Sequence, residues 1–531
     1  MVPADRTRTG QDLVFLKGTL MEIKPINKYL HEHRSLLLLV FVSLGLKLVL
    51  LHSMEVLPED GPMFITQAEK FVDGAWKEGL ALNRYLFLYP LLIVCVHYLI
   101  PDMVLAGQLI SLTASVLALI PIFLLTRGLF GATAAFWGGL AFVVAPGFND
   151  YAVKVMREPA FLCLFAWAVY FAWCALEFKK TRHFVLFFIF SVTSSLFRVE
   201  GIFLPILFIA FLLFVCLSDK EKRPVAIKAS FVSLIFVALF YGFANYVDQN
   251  YAGFIKYNNV TFYLDNVFNG GVFNPIPEIK AGLKSMEISS SYGWNHNDFA
   301  SIARENIRLI YFIGLMFCIS NIVFMPFFIL FFTGVYFGRK YSQGDIFLII
   351  AAVIYSIVCF MFLLNMNFIE PRYAFAISVF LYPWIGLGVE KIFLFKNKNY
   401  IANIMIPVVV LFLFFTPFYE SITSHEYQVS SGKEAGIWLA EQVEFNNKKM
   451  IANNGEIPFY SGRNSDDMIH VFCRDRDDFY SMEQIGKREG ADIMAIVIKK
   501  HKEDIIPDFF EYELKKRFDD KKYSSFVYYR K

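Results

Sequence analysis

Two adjacent carboxylates, Glu59 and Asp60, stand in the segment Pro58-Glu59-Asp60-Gly61-Pro62, directly after the first long apolar run. A carboxylate there can take a proton from a hydroxyl presented at a membrane face, which is general-base chemistry. The flanking Pro58, Gly61 and Pro62 equally suit a solvated turn. Three other places carry chemistry of the same kind. Glu158 precedes Pro159 and follows Lys154 and Arg157. Read locally, it favours the start of a helix whose first turn holds the proline; read functionally, it is a second carboxylate facing the cavity of Asp60. Arg198 lies in "SSLFRVEG" between two apolar runs, where a guanidinium pairs with Glu200 or grips a phosphate through two parallel hydrogen bonds. Glu370, Arg372 and Tyr373 open a later run in "EPRYAFAI", and Arg and Tyr are common interfacial anchors at such positions.

The elements that must position these groups are membrane spans. The chain has 531 residues, 56% of them hydrophobic, and only 18% are charged, against about 25% in soluble domains. The charges gather at the N-terminus, in short connections and in the last 110 residues. The apolar runs predict 11 spans near 35–53, 104–126, 131–148, 159–177, 184–197, 199–217, 225–247, 309–337, 346–364, 373–394 and 401–419. The run 86–100 is too short to cross and is read as a re-entrant or surface-lying helix. With that choice every basic cluster between spans falls on one side: Arg127, Lys179 to Arg182, Lys220 to Arg223, Arg339 with Lys340, and Lys396 with Lys398. The bias puts that side and residues 1–34 in the cytoplasm. Residues 54–103, 149–158, 248–308, 365–372 and 421–531 are then extracytoplasmic, as is the turn at Arg198. All the candidate groups share one face, as one active site requires.

Within that face, Gly61 to Asp73 predicts an amphipathic helix lying on the membrane, with Phe64, Ala68, Phe71 and Val72 opposite Gln67, Lys70 and Asp73. Arg84 and Arg157 are candidate substrate contacts. The loop 248–308 carries Tyr251, Tyr257, Phe262, Tyr263, Tyr292, Trp294 and His296, a set that suits an ordered cover or sugar stacking. Residues 421–531 read as a small α/β domain: helices over 432–443, 478–489 and 507–517, strands over 450–452, 493–499 and 524–529. Six of seven cysteines lie in or near apolar runs, and no spacing suits a metal. No basic tract suits nucleic acid, and no phosphate-cradling glycine loop appears. Lys47 and Lys228 are the main charges within spans, and no internal repeat is evident, which argues against a transporter or flippase.

The order of these segments resembles that of GT-C-type integral membrane glycosyltransferases, the group holding protein O-mannosyltransferases and lipid A aminoarabinose transferases. The resemblance rests on "PEDGPMFITQAEKF", "LYPLL", "MREPAFLCLFAW", "RVEGIFLPILF", "PRYAFAISVFLYPW" and "IPFYSGR". It implies a polytopic α-helical fold over 35–420 with the α/β domain after it, in the plasma (inner) membrane with the site outside. It implies an inverting hexosyl- or pentosyltransferase with a polyprenyl-phosphate sugar as donor and a glycan, lipid or protein hydroxyl as acceptor. By the same resemblance Asp60 is the base with Glu59 as fallback, Glu158 is the second acidic residue, and Arg372 with Tyr373 holds the donor phosphate, assisted by Arg198. Glu158 stands where the group commonly has Asp, and Tyr is missing after Asp60. No metal or other cofactor is expected. A polymerase or ligase of lipid-linked glycans is the alternative activity on the same architecture.

Overall fold

The computed structural model describes residues 26–54, 56–57, 60–82, 87–218, 276–289, 297–338, 342–367, 369–394, 400–423, 430–445, 448–462, 468–471, 476–500, 508–520 and 523–531, with four isolated positions between 219 and 275. Its first part is helical: α1 (Ile26–His52), α2 (Gly61–Val72), α3 (Trp76–Leu82), α4 (Leu88–His97), α5 (Met103–Phe130), α6 (Ala132–Val144), α7 (Pro146–Ala152), α8 (Glu158–Phe178), α9 (Thr181–Ser195) and α10 (Phe203–Ser218). Further along come α11 (Ile276–Ser289), α12 (Asn297–Glu305), α13 (Ile307–Val323), α14 (Met325–Tyr336), α15 (Gln343–Met366), α16 (Phe375–Leu394) and α17 (Tyr400–Thr423).

Six of these helices are long and apolar enough to cross a membrane, or eight spans if each of two bent pairs counts as one. This is an integral membrane protein. The expected 11 spans are not all of that kind. The predicted spans 184–197 and 199–217 correspond to α9 and α10, of 15 and 16 residues. At 1.5 Å per residue such helices reach about 22–24 Å, short of a hydrocarbon core of about 30 Å. The predicted span 225–247 lies outside the described residues, except for four isolated positions. Two other predicted spans are broken. The segment 131–148 bends by 60° between α6 and α7, where Pro146 forces Ala145 into an extended conformation. The segment 309–337 bends by 96° between α13 and α14, with Phe324 at φ 79° ahead of Met325-Pro326. The run 86–100 forms only α4, ten residues long.

The helix that follows the Arg372 segment is held by backbone contact. A Cβ on Gly388 would overlap the Leu330 carbonyl oxygen, one on Gly334 the Trp384 carbonyl, and one on Gly386 the Ala134 carbonyl. So α16 packs without side chains between α14 and α6, the close approach that small residues permit between spans. Gly388→Ala is therefore expected to cost about 2 kcal/mol or more through overpacking. A lowered melting temperature in detergent reads this, and an unchanged melt contradicts it.

The chain closes with α18 (Ser430–Glu441), β1 (Met450–Ala452), α19 (Glu456–Tyr460), β2 (Met468–His470), α20 (Arg476–Glu489), β3 (Ile493–Lys499), β4 (Tyr512–Asp519) and β5 (Tyr523–Arg530). The strands form one sheet in the order β2-β1-β3-β5-β4. β1 pairs in parallel with β2 and β3, and β5 antiparallel with β3 and β4. The helix expected over 507–517 is a correction: from Tyr512 onward the chain is strand β4, with Tyr512 opposite Arg530. The mixed charges of Glu513, Lys515 and Lys516 suit an exposed helix face as well as an edge strand, and pairing with β5 settles the matter.

Candidate active site

Asp60 sits at the N-cap of α2, following Val56 and Leu57, which are buried. Its side chain makes no capping hydrogen bond. It pairs instead with Arg372, 312 residues away in sequence. Arg372 lies in a short 3-10 turn, Pro371–Ala374, whose N-cap is Glu370. Its Nε is 2.5 Å from Glu370 Oε2, and its Nη1 is 4.0 Å from Glu158 Oε1.

Glu158 begins α8, with Pro159 in the first turn, and is 1% exposed. It starts the helix and also lies beside the Arg372 that pairs with Asp60. Its Oε1 accepts from Arg198 Nη1 at 2.5 Å, while Arg198 Nη2 donates to Glu200 Oε1 at 2.6 Å. Burial opposes the charge of Arg198, but Glu200 and Glu158 outweigh it and hold the guanidinium above its ordinary value. Arg198 thus pairs with Glu200, as the sequence allowed, and additionally reaches Glu158. The second oxygen of Glu158 is buried and has no hydrogen-bond partner among the described residues.

Tyr373 lies beneath both arginines. Its ring centroid is 5.0 Å from the Arg198 guanidinium carbon and 5.8 Å from that of Arg372, within cation–π range. Phe362 also stacks on its ring, with the centroids 5.0 Å apart. Arg157 places its guanidinium 5.9 Å from the Phe64 ring, on the helix that Asp60 starts. The fold thus gathers Asp60, Glu158, Arg198, Arg372 and Tyr373, with Arg157 close enough to Glu158, Arg198, Glu200 and Asp60 to feel their charges. Glu59, Arg84 and the seven loop residues from Tyr251 to His296 lie outside the described residues.

Several positioning contacts escaped the sequence reading. Tyr89 of α4 donates to the Gly107 carbonyl at 3.0 Å and lies 2.9 Å from Ser111 Oγ. Ser111 donates to the Met156 carbonyl at 2.9 Å, which fixes the segment just before Glu158. Tyr355 donates to the Glu200 carbonyl at 2.9 Å. The sequence signal, in retrospect, is a tyrosine hydroxyl inside an apolar helix, because such a group needs a partner. The expected face of α2 is also corrected. Phe64, Ala68 and Phe71 are buried, but so is Gln67, with no exposed area, whereas Val72 is 38% exposed. Asp60, Phe64, Gln67 and Phe71 follow the spacing of one helical face, so Gln67 joins the buried side. Lys47, read as snorkelling or facing the bundle, is buried. It donates to Ser43 Oγ at 3.0 Å and Asn149 Oδ1 at 3.2 Å. Lys228 lies outside the described residues.

Comparison with known proteins bears on this arrangement. The family model for dolichyl-phosphate-mannose-protein mannosyltransferases matches residues 87–241. A search of curated protein sequences gives no match. The structure resembles ArnT from Cupriavidus metallidurans bound to undecaprenyl phosphate, at 12% identity and TM-score 0.56, over 93% of this chain and 98% of that one. It also resembles the oligosaccharyltransferase AglB from Archaeoglobus fulgidus, in complex with an inhibitory peptide and a dolichol-phosphate. There the identity is 12% and the TM-score 0.57, over 89% of this chain and 70% of that one. The chain has a GT-C-type fold.

On this GT-C scaffold the family match and the ion cluster overlap only in part. Residues 87–241 include Glu158 and Arg198 but neither Asp60 nor Arg372. The other half of the cluster comes from α2 and from the turn before α16, and the tertiary fold alone brings the halves together.

Proposed function

We propose that the chain is an inverting glycosyltransferase that moves one sugar from a polyprenyl-phosphate donor to an acceptor hydroxyl at the extracytoplasmic membrane face. The observation that carries this is the pairing of Asp60 with Arg372 beside Glu158 and Arg198. A base and two phosphate-binding guanidiniums meet in one place, at the membrane end that the basic loops assign to the outside. The fold of proteins bound to undecaprenyl phosphate and dolichol-phosphate supports the donor class.

The reaction follows from these groups. Asp60 accepts the proton of the acceptor hydroxyl as that oxygen attacks the anomeric carbon. The bond from the anomeric carbon to the phosphate oxygen breaks, and its electron pair leaves on the polyprenyl phosphate. Arg372 and Arg198 hold the charge that develops there, with Tyr373 keeping both guanidiniums in position. One displacement inverts the anomeric centre. The second oxygen of Glu158, which has no partner among the described residues, can accept a hydroxyl of the sugar or of the acceptor. The proposed reaction uses no metal; Glu59 is the fallback base, and Arg84 and Arg157 are candidate contacts to substrate.

In the resting site Asp60 and Arg372 neutralise each other. Donor phosphate must therefore compete with Asp60 for Arg372, and its binding releases the base. Arg372→Ala is expected to raise the donor KM at least tenfold, because a bidentate charge-assisted contact is lost. A donor KM unchanged in that variant argues against the phosphate assignment. The function itself is tested with purified protein in proteoliposomes, polyprenyl-phosphate sugars and envelope glycolipid or peptide acceptors, read by product mass. An increment of one sugar supports the proposal. A multi-sugar increment points to the ligase or polymerase reaction, and donor crossing the bilayer without product points to a flippase.

A further inference from the structure

The segment that carries Asp60 is tied to the C-terminal sheet. The Leu57 N–H donates to Tyr460 Oη at 3.0 Å, across 403 residues of sequence and only three residues before Asp60. Tyr460 ends the five-residue helix α19. Its neighbour Phe459 packs against the membrane-embedded core, while Ile457 of the same helix belongs to the core of the sheet domain. Helix α19 therefore bridges the two bodies.

The bridge is anchored at its far end. Asn453, directly after β1, pairs with the backbone of central strand β3: its Nδ2 donates to the Val497 carbonyl at 3.0 Å, and its Oδ1 accepts from the Val497 N–H at 2.8 Å. Asn454 Oδ1 then accepts from the Glu456 N–H at 2.6 Å, which starts α19. On the other side Gly436 of α18 leaves no room for a side chain, since a Cβ there would lie 2.6 Å from Tyr460 Cβ. A continuous path thus runs from β3 through Asn453, α19 and the Tyr460 hydroxyl to Leu57. The Asn453-Asn454-Gly455 segment is the start of that path.

We propose that Tyr460 is a positioning residue for the reaction: the C-terminal domain holds Leu57, three residues before Asp60, through this hydroxyl and so sets where the Asp60 carboxylate stands. The inference rests on the proposed role of Asp60. A small displacement of a base from its in-line geometry lowers turnover strongly. Tyr460→Phe removes the acceptor for the Leu57 N–H and keeps both the Cβ beside Gly436 and the aromatic ring, whose centroid lies 5.7 Å from Lys433 Nζ.

Two measurements on the full-length protein in nanodiscs test this. Hydrogen–deuterium exchange of peptides covering 54–62 should accelerate at least tenfold in Tyr460→Phe, with peptides from β3 and β5 unchanged. In the transfer assay kcat should fall about tenfold, with donor KM and the stoichiometry of donor binding unchanged. A merely structural role would lower that stoichiometry instead. Asn453→Ala, which loosens α19 from β3 without touching the ring, should accelerate the same peptides. Exchange over 54–62 that stays at the wild-type rate in both variants overturns the proposal, as does faster exchange with kcat within twofold of wild type. Faster exchange in a protein whose wild type transfers no sugar leaves the tether standing and removes the glycosyl-transfer reading, so the two failures are distinguishable.

Discussion

Asp60→Asn is expected to lower turnover by about a thousandfold, the middle of the range for a lost general base, while the protein still inserts and folds. The amide keeps the size of the carboxylate, and Asp60 makes no capping hydrogen bond whose loss would disturb α2. The same substitution is expected to tighten donor binding. Asp60 occupies Arg372 in the resting site, and a neutral amide competes with a phosphate for that guanidinium far less well. A fall in kcat together with a fall in donor Kd separates this account from misfolding, which would lower kcat and raise Kd. The measurements are initial rates with saturating donor and a titration with polyprenyl phosphate. Turnover within a few-fold of wild type sinks the base assignment, and weaker donor binding sinks the competition between Asp60 and the phosphate.

Arg198→Met is expected to be the most destabilising single change at the site. The arginine side chain is 5% exposed and serves Glu158, 1% exposed, and Glu200, 22% exposed. Its removal leaves Glu158 buried without its guanidinium, and breaking a buried pair in that way costs about 3–5 kcal/mol. It also removes the cation above the Tyr373 ring, which adds a smaller loss. The expected readout is a marked drop in melting temperature in detergent and a lower yield of folded protein. Adding Glu158→Gln to Arg198→Met should recover part of the loss, since one of the stranded charges is gone. A melting temperature equal to wild type in the single variant contradicts the buried network.

The membrane-spanning character and the chemistry-bearing positions were legible in the sequence because they are local. Apolar run length reports spans, and a carboxylate beside Pro and Gly at the end of a run stands out without any fold. The strands Met450–Ala452 and Ile493–Lys499 were legible for the same reason, as short apolar β-branched runs beside turn signals. The bends at Ala145 and Phe324 were not read, although Pro146 and Pro326 stand beside them, because apolar content alone carries no break. Strand β4 was read as helix because its charges allow either, and its partner β5 lies several residues further along the chain.

By itself, then, the sequence determined that this is a polytopic membrane protein with acidic and arginine groups at span ends. The resemblance of its motifs pointed to the GT-C fold. Only the tertiary structure decided who pairs with whom. Asp60 meets Arg372 across 312 residues, and Leu57 meets Tyr460 across 403. The same holds for the buried place of Gln67 on α2. The physical reason is one of range. Hydropathy and helix signals act within a few turns of chain, whereas ion pairs and hydrogen bonds form between whatever surfaces the packing of spans brings within about 3 Å.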